Sequence, residues 1–364
     1  MGFLLGSPMR SFLFVHLSTN INLTSSDNNL VPRLKTLRVP VSLQVRHVDS
    51  SKSLPMAAIT LPYFAPTSEL PQPLPTKQEI HSSTEQYMES GGRRLVRIGP
   101  YMIKHGSGVS VVEGENMLFV SHETTVPVPP VYAIYTATET SSYTNTEVES
   151  NYIVMEYLEG KTLEYEWGLL SAQQKDDISA QLQEQMNQLR SIPSPGYYGS
   201  IGRRGLLDCM FWTGNDACAP LDGPFDTEHA LNEAMRSKFK YNNLSPAKAE
   251  FYRQAFPIVL QGHAPVFTHG DFQRKNIIIK RIPPADSADA SARVQHLNLE
   301  DDTFDITIID WENAGWYPSY WESTIALFAC GRWSDDWHVW VGKSLELFFN
   351  EYAWMQMLRN ELWS

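Results

Sequence analysis

Val266-Phe267-Thr268-His269-Gly270-Asp271-Phe272-Gln273-Arg274-Lys275-Asn276-Ile277-Ile278-Ile279 is the stretch on which the fold turns. A short apolar strand enters a polar loop and an apolar strand leaves it, so the loop is anchored at both ends in a core. Within the loop the pattern is H-x-D-x-x-x-x-N, from His269 through Asp271 to Asn276. Further on, Ile306-Thr307-Ile308-Ile309-Asp310-Trp311-Glu312 is a second buried strand that ends on a carboxylate, Asp310, thirty-four positions after Asn276. With ten histidines in the chain, about 0.03 matches to the loop pattern are expected by accident at average composition.

Phosphoryl transfer needs parts of this kind. One Asp must orient or deprotonate an acceptor hydroxyl, and a second Asp with an Asn must hold Mg²⁺ against a triphosphate. Hard oxygen ligands suit Mg²⁺, and strand ends fix their geometry.

His269-Gly270-Asp271 to Asn276, followed by Asp310, resembles the aminoglycoside phosphotransferase and choline kinase group, small-molecule kinases with a protein-kinase-like fold. H-G-D-F-Q-x-x-N-I with I-D-W-E is most similar to fungal members of that group. The resemblance runs from about residue 94 to 330. It implies Asp271 as catalytic base, His269 as a brace for the loop, and Asn276 and Asp310 as metal ligands. It also implies an upstream Lys held by a Glu: Lys104, with Glu113 nine residues on or Glu115 as the alternative. Y-I-V-M-E-Y-L-E-G-K-T-L resembles the connection between lobes, where backbone near Met155, Glu156 and Tyr157 would meet the adenine of ATP. Two features depart from the pattern. No G-x-G-x-x-G precedes Lys104, where Gly91-Gly92 and Gly99 are the nearby glycines, so phosphate cover must come from another loop. The long spacing from Asn276 to Asp310 is absorbed by a polar, Ala/Ser/Asp-rich insertion at 281–302. Asp310 is followed by Trp-Glu rather than Phe-Gly and no A-P-E follows, which argues against a protein substrate.

The rest of the chain sorts into lobes. Leu95 to Lys104, broken at Gly99-Pro100, reads as a hairpin. Val112, Met117 and Val120 share a helical face, and the prolines of 127–130 force extended backbone. Tyr152 to Met155 is a buried strand. After residue 157 the helical period dominates. Ser171 and Gln174 have capping-box spacing ahead of the stripe Ile178, Leu182, Met186 and Leu189. Ser245-Pro246 opens a further helix. The expected fold is therefore α+β and bilobal, with a small antiparallel-sheet N-lobe at 81–157 and a larger, mainly helical C-lobe at 158–364. Residues 1–55, with six basic and two acidic side chains, read as a non-globular extension, either a transit peptide or a gene-model artefact. The prolines at 56–80 mark an extended arm or linker.

Composition narrows the partners. The net charge is −12, from 29 Lys plus Arg against 41 Asp plus Glu, which disfavours nucleic acid. No apolar run reaches a membrane span, and three cysteines without a CxxC suggest a reducing compartment. The expected location is cytoplasmic, or mitochondrial if the extension is a true transit peptide. Eight of ten tryptophans fall at or after residue 311, with Asp335 and Asp336 among them. Trp311, Glu312, Asp335 and Asp336 are candidate acceptor contacts, an aromatic and acidic wall that would suit an amine. Trp333, Trp337 and Trp340 recur at helical spacing and read as core. The reading is an ATP- and Mg²⁺-dependent kinase of a small hydroxyl compound, amine- or sugar-containing. The alternative is a pseudokinase that binds nucleotide or a partner without turnover. The sequence leaves the oligomeric state open.

Overall fold

Hydrophobic alternation followed by helical periodicity produces two layers of structure in the computed structural model, which describes residues 59–140, 146–213, 221–283, 302–331 and 333–362. All of these belong to one unit, Leu54–Ser364. The N-terminal extension, and residues 284–301 of the expected insertion, lie outside the described residues.

The chain begins with β1 (Tyr63–Phe64), a 3-10 turn at Thr67–Glu69 and α1 (Lys77–Ser82). Then come β2 (Gln86–Ser90), β3 (Arg93–Ile98), β4 (Tyr101–Gly106), α2 (Val112–Glu123), β5 (Val131–Thr140) and β6 (Glu147–Glu156). Six strands form one antiparallel sheet in the order β1-β5-β6-β4-β3-β2. Gly99-Pro100 turns β3 into β4, with Ile98 opposite Tyr101. β5 was not among the expected strands. Its Thr-rich second half alternates toward solvent, and only Val131 to Ile134 are buried in sequence.

The prolines do keep 61–76 free of long elements, but the stretch is packed rather than a loose linker. β1 adds to the sheet edge against β5. A full capping box at Thr76 and Glu79 starts α1, whose Ile80 is buried against Val96, Tyr101 and Tyr152 on the outer sheet face. Beside it His105 is also buried, stacked on Tyr152 and tilted against His81 with both centroid distances 5.3 Å, and neither ring nitrogen has a partner among the described residues.

The C-lobe adds β7 (Lys161–Thr162), α3 (Leu163–Glu166), α4 (Ala172–Arg190), α5 (Glu228–Tyr241) and α6 (Pro246–Val259). These are followed by β8 (Pro265–Thr268), β9 (Ile277–Ile282), β10 (Thr303–Ile308), β11 (Gly315–Pro318), α7 (Trp321–Phe328), α8 (Trp337–Ser344) and α9 (Phe349–Leu362). Two small sheets, β10-β9-β7 and β11-β8, carry the loops that matter. Ser171 and Gln174 cap α4 reciprocally, and Ile178, Leu182, Met186 and Leu189 are buried along its inner face. From that face Gln185 donates to the Ile306 carbonyl at 3.2 Å, tying α4 to β10. Pro246 occupies the first turn of α6 behind the Ser245 cap, as its sequence requires. One core runs from α2 and β6 through Phe267 and Ile308 to α4 and α8, joining the two lobes.

α9 is fixed by charge as well as by packing. Arg359 donates to Asp208 at 3.0 Å with both side chains 4% exposed, and Trp321 Nε1 donates to the same carboxylate at 3.2 Å. Trp337 and Trp340 are core residues, but Trp333 is 41% exposed. It precedes α8 in left-handed backbone, so the helical spacing that grouped it with the other two does not extend to it.

Candidate active site

The loop between β8 and β9 is shaped by backbone bonds to buried side chains. Glu322, 2% exposed in α7, accepts the N–H of His269 at 2.6 Å and that of Gly270 at 3.2 Å. Burial pushes its carboxyl up, against the pull of His269. Gly270 has φ +82, and a Cβ there would sit 2.8 Å from the Asn313 carbonyl oxygen, so the loop closes only on glycine. His269 Nδ1 accepts from the Asp271 N–H at 3.2 Å, which leaves the ring proton on Nε2, donated to the Ile309 carbonyl at 3.0 Å. His269 thus links the Asp271 loop to the Asp310 loop. Trp311 packs edge-on against its ring, 4.6 Å between centroids.

Asp271 is held from both sides. Gln273 Nε2 donates to Oδ1, and Asn276 Nδ2 donates to Oδ2 at 2.7 Å. Lys275 Nζ lies 3.2 Å from that same Oδ2. Asn276 spends its amide nitrogen on Asp271, so its Oδ1 remains the atom of metal-ligand type. The Asn276 carbonyl accepts the Ile309 N–H at 2.9 Å, which seats Asp310 next to it.

Asp310 has φ +65, a left-handed backbone that Asp tolerates better than most residues. Its Oδ1 is 2.9 Å from Lys104 Nζ, and Glu113 Oε2 is 2.5 Å from the same ammonium. Glu115, the other candidate partner, is instead paired with Arg204 at 2.7 Å. Oxygens of Glu113, Asp310 and Glu312 lie within 4.8 Å of one another. Burial alone would depress Lys104, but Glu113, Asp310 and Glu312 together carry it above the ordinary lysine range. Burial pushes Glu113 up to about 7, and Lys104 pulls against it. Asp310 is likewise disfavoured by burial, yet Lys104 holds its carboxyl below the usual range. Glu312 also takes a bond from Arg93 on β3, 2.8 Å at the nearer pair of atoms. Three carboxylates thus face two cations in one cluster, with hard oxygens that suit Mg²⁺.

Arg93 was not anticipated, although it adjoins the Gly91-Gly92 turn. That turn of β2 and β3 packs on the turn after β4. Gly108 N–H donates to the Gly92 carbonyl at 2.9 Å, and Arg93 Nε donates to the Gly108 carbonyl at 2.7 Å. Gly106, at φ +128, has no room for a side chain, since a Cβ would lie 2.1 Å from the Gly92 oxygen.

At the connection between lobes, Met155 is buried in the shared core. Glu156 donates its N–H to Pro130 and Tyr157 to Pro100, at 2.9 and 2.8 Å. Neither N–H is therefore open to a base, and Leu158 carries the next one. A cleft of about 480 Å³ opens there, lined by Glu156, Tyr157, Leu158, Ile278 and Thr307 among others. Lys104, Asp271 and Asp310 do not line it.

The expected acceptor wall is a different object. Trp311 is fully buried and cannot contact a ligand. Asp335 is paired with Arg274 at 2.5 Å, and the Arg274 guanidinium lies over Trp167 at 5.2 Å and Trp337 at 5.5 Å. Asp336 accepts from Trp167 Nε1 at 2.8 Å and Lys175 at 2.9 Å, while Lys175 lies 4.5 Å over the Trp167 ring. Aromatic faces and carboxylates are already filled by cations of the chain itself.

Residues 113–285 match the phosphotransferase enzyme family. The match bears out the resemblance drawn from His269 to Asn276, and with it the expectation of a phosphotransferase. The matched stretch holds Glu113, His269, Asp271 and Asn276, and ends before Asp310. No curated protein matches the sequence. Solved structures that this chain matches include the aminoglycoside phosphotransferase APH(4)-Ia, at 15% identity and TM-score 0.44, over 77% of this chain and 82% of that one. Another is the streptomycin–ATP ternary complex of APH(2")-IIa, at 16% identity and TM-score 0.43, over 79% and 87% of the two chains. A third is the GDP and kanamycin complex of APH(2")-IIia, at 17% identity and TM-score 0.44, over 76% and 82%. Among the described residues no helix is long and apolar enough to cross a membrane.

Proposed function

We propose that the protein is an ATP- and Mg²⁺-dependent phosphotransferase that moves the γ-phosphoryl group to a hydroxyl of a small molecule. The observation that carries this reading is the pair of linked clusters. Asp271 is held by Asn276, and Lys104 lies within ion-pair distance of both Glu113 and Asp310. The His269 ring, donating to the Ile309 carbonyl, and the Asn276 carbonyl, accepting the Ile309 N–H, join the two.

Asp271 would accept or orient the acceptor proton. Lys104, held by Glu113, would contact the α- and β-phosphates. Leu158, at the cleft between lobes, would meet the base. Asn276, Asp310 and Glu312 would hold Mg²⁺, which when bound offsets phosphate charge and orients the triphosphate. Catalysis is then mostly positioning and electrostatics. The wall that suggested an amine is filled by Arg274 and Lys175, so the structure supports a hydroxyl acceptor without that preference.

Thermal unfolding of the full chain with and without Mg·ATP tests the reading, beside Asp310→Ala. A ligand that binds only the folded state raises its apparent stability. The expected result is a Mg²⁺-dependent upshift that the variant loses. No upshift at millimolar nucleotide would refute it. An upshift without phosphoryl transfer to any hydroxyl acceptor, or to water, would fit the pseudokinase alternative instead.

A further inference from the structure

Lys275 is the loop residue to which the chemistry above gives no task. Its ammonium has one partner among the described residues, Asp271 Oδ2 at 3.2 Å, and its side chain is 46% exposed. An ammonium has three N–H donors, so two remain for a ligand. Neighbouring cations are spent elsewhere: Arg274 on Asp335, Lys280 on Glu159 at 2.9 Å, Lys104 on Glu113 and Asp310. Lys275 is also not needed to place Asp271, because Gln273 and Asn276 already hold that carboxylate on both oxygens. The ammonium therefore lies at the proposed base, beside the position an acceptor hydroxyl would take.

We propose that Lys275 is a further catalytic residue, whose ammonium leaves Asp271 to donate to a non-bridging oxygen of the γ-phosphoryl group. The inference rests on the phosphotransferase reading. An acceptor hydroxyl bonded to Asp271 lies roughly 2.6–3.2 Å from its carboxylate. The phosphorus it attacks lies roughly 3–3.5 Å beyond. A lysine already at the same carboxylate can therefore follow the charge onto the phosphoryl oxygens. In the step the acceptor oxygen bonds to Pγ and the bond from Pγ to the β–γ bridging oxygen breaks. That electron pair stays on the β-phosphate of ADP, and the acceptor proton passes to Asp271. Lys275 stays protonated throughout. The same move frees Asp271 to accept a proton only once a triphosphate is present.

The test compares binding of Mg·AMP-PNP and Mg·ADP to the full chain by calorimetry, for the native protein, Lys275→Gln and Lys275→Arg. A charge-assisted contact to the γ-phosphoryl group predicts about tenfold weaker AMP-PNP binding in Lys275→Gln, with ADP binding unchanged and AMP-PNP binding largely restored in Lys275→Arg. The same measurement in Asp271→Asn, with and without Lys275→Gln, separates a direct contact from an effect of unpairing Asp271. Persistence of the tenfold loss in the Asp271→Asn background supports the contact, and its disappearance overturns it. Equal weakening of both nucleotides, or no change in either, also overturns it. Failure of the native chain to bind either nucleotide would remove the phosphotransferase reading and this inference together.

Discussion

His105 offers a stability prediction that can be worked through from its surroundings. It follows Lys104 on β4 and, by strand alternation, faces the opposite side of the sheet. There it is 3% exposed. Around it stand His81 from α1, Glu89 from β2, Arg94 from β3, Glu139 from β5, and Tyr152 from β6, itself stacked on Tyr135. Burial, and next the charge of His81, push its pKa from 6.5 down to about 4. The unfolded chain therefore binds more proton than the folded one between those values. This contribution to stability is full above pH 6.5 and drains away as pH falls toward 4. Between pH 7 and pH 5 the loss is about 2 kcal/mol. His105→Phe keeps an aromatic ring in the stack and removes the titration. Urea unfolding at pH 7, 6 and 5 should show the native protein losing about 2 kcal/mol more than the variant across that interval. Equal losses in the two proteins would show that His105 stays neutral in the unfolded chain too, or is protonated in the fold, and the reasoning would be wrong.

Three further outcomes follow from the geometry. Asp271→Asn keeps the size of the side chain, but its amide nitrogen can no longer accept from Gln273 or Asn276 and cannot take a proton; turnover should fall by roughly 10²–10⁴ while the Mg·ATP thermal shift persists. Gly106→Ala places a methyl group against the Gly92 carbonyl, so unfolding midpoints should drop by an amount equivalent to at least about 1–3 kcal/mol; an unchanged midpoint would mean that the two turns are not in contact. Arg359→Met leaves Asp208 buried without its cation and should cost about 3–5 kcal/mol in chemical denaturation, part of it restored by adding Asp208→Asn.

What could be foreseen follows the range of the interactions involved. The loop from His269 to Asn276 and its flanking strands were legible because the elements are contiguous and their hydrophobicity switches abruptly. The caps at Ser171 and Ser245 were legible for the same reason. Lys104 and Glu113 were nominated through the family resemblance, on the hairpin at Gly99-Pro100 and the helix after it, and they lie at ion-pair distance. Long-range partners were not legible. Asp335 and Asp336 looked like open carboxylates because Arg274 is 61 residues from the first and Lys175 is 161 from the second. Arg93 meets Glu312 across 219 positions. β5 was hidden by a Thr-rich half that does not alternate in hydrophobicity strongly enough to register, and the packing of the Pro-rich arm depends on a sheet edge that no local pattern reveals.

The Asp208–Arg359 pair also has a consequence for biosynthesis. Asp208 lies in the middle of the C-lobe, but the cation that makes its burial tolerable sits 151 residues later, on α9. While the ribosome is still making the intervening chain, Asp208 must stay hydrated, and the core around Trp321 and Tyr317 cannot close over it. The N-lobe sheet has all its strands by residue 156 and is free of this constraint. Synthesis therefore separates the two lobes in time: the sheet can form on the nascent chain, whereas the C-lobe is completed only after α9 has left the exit tunnel.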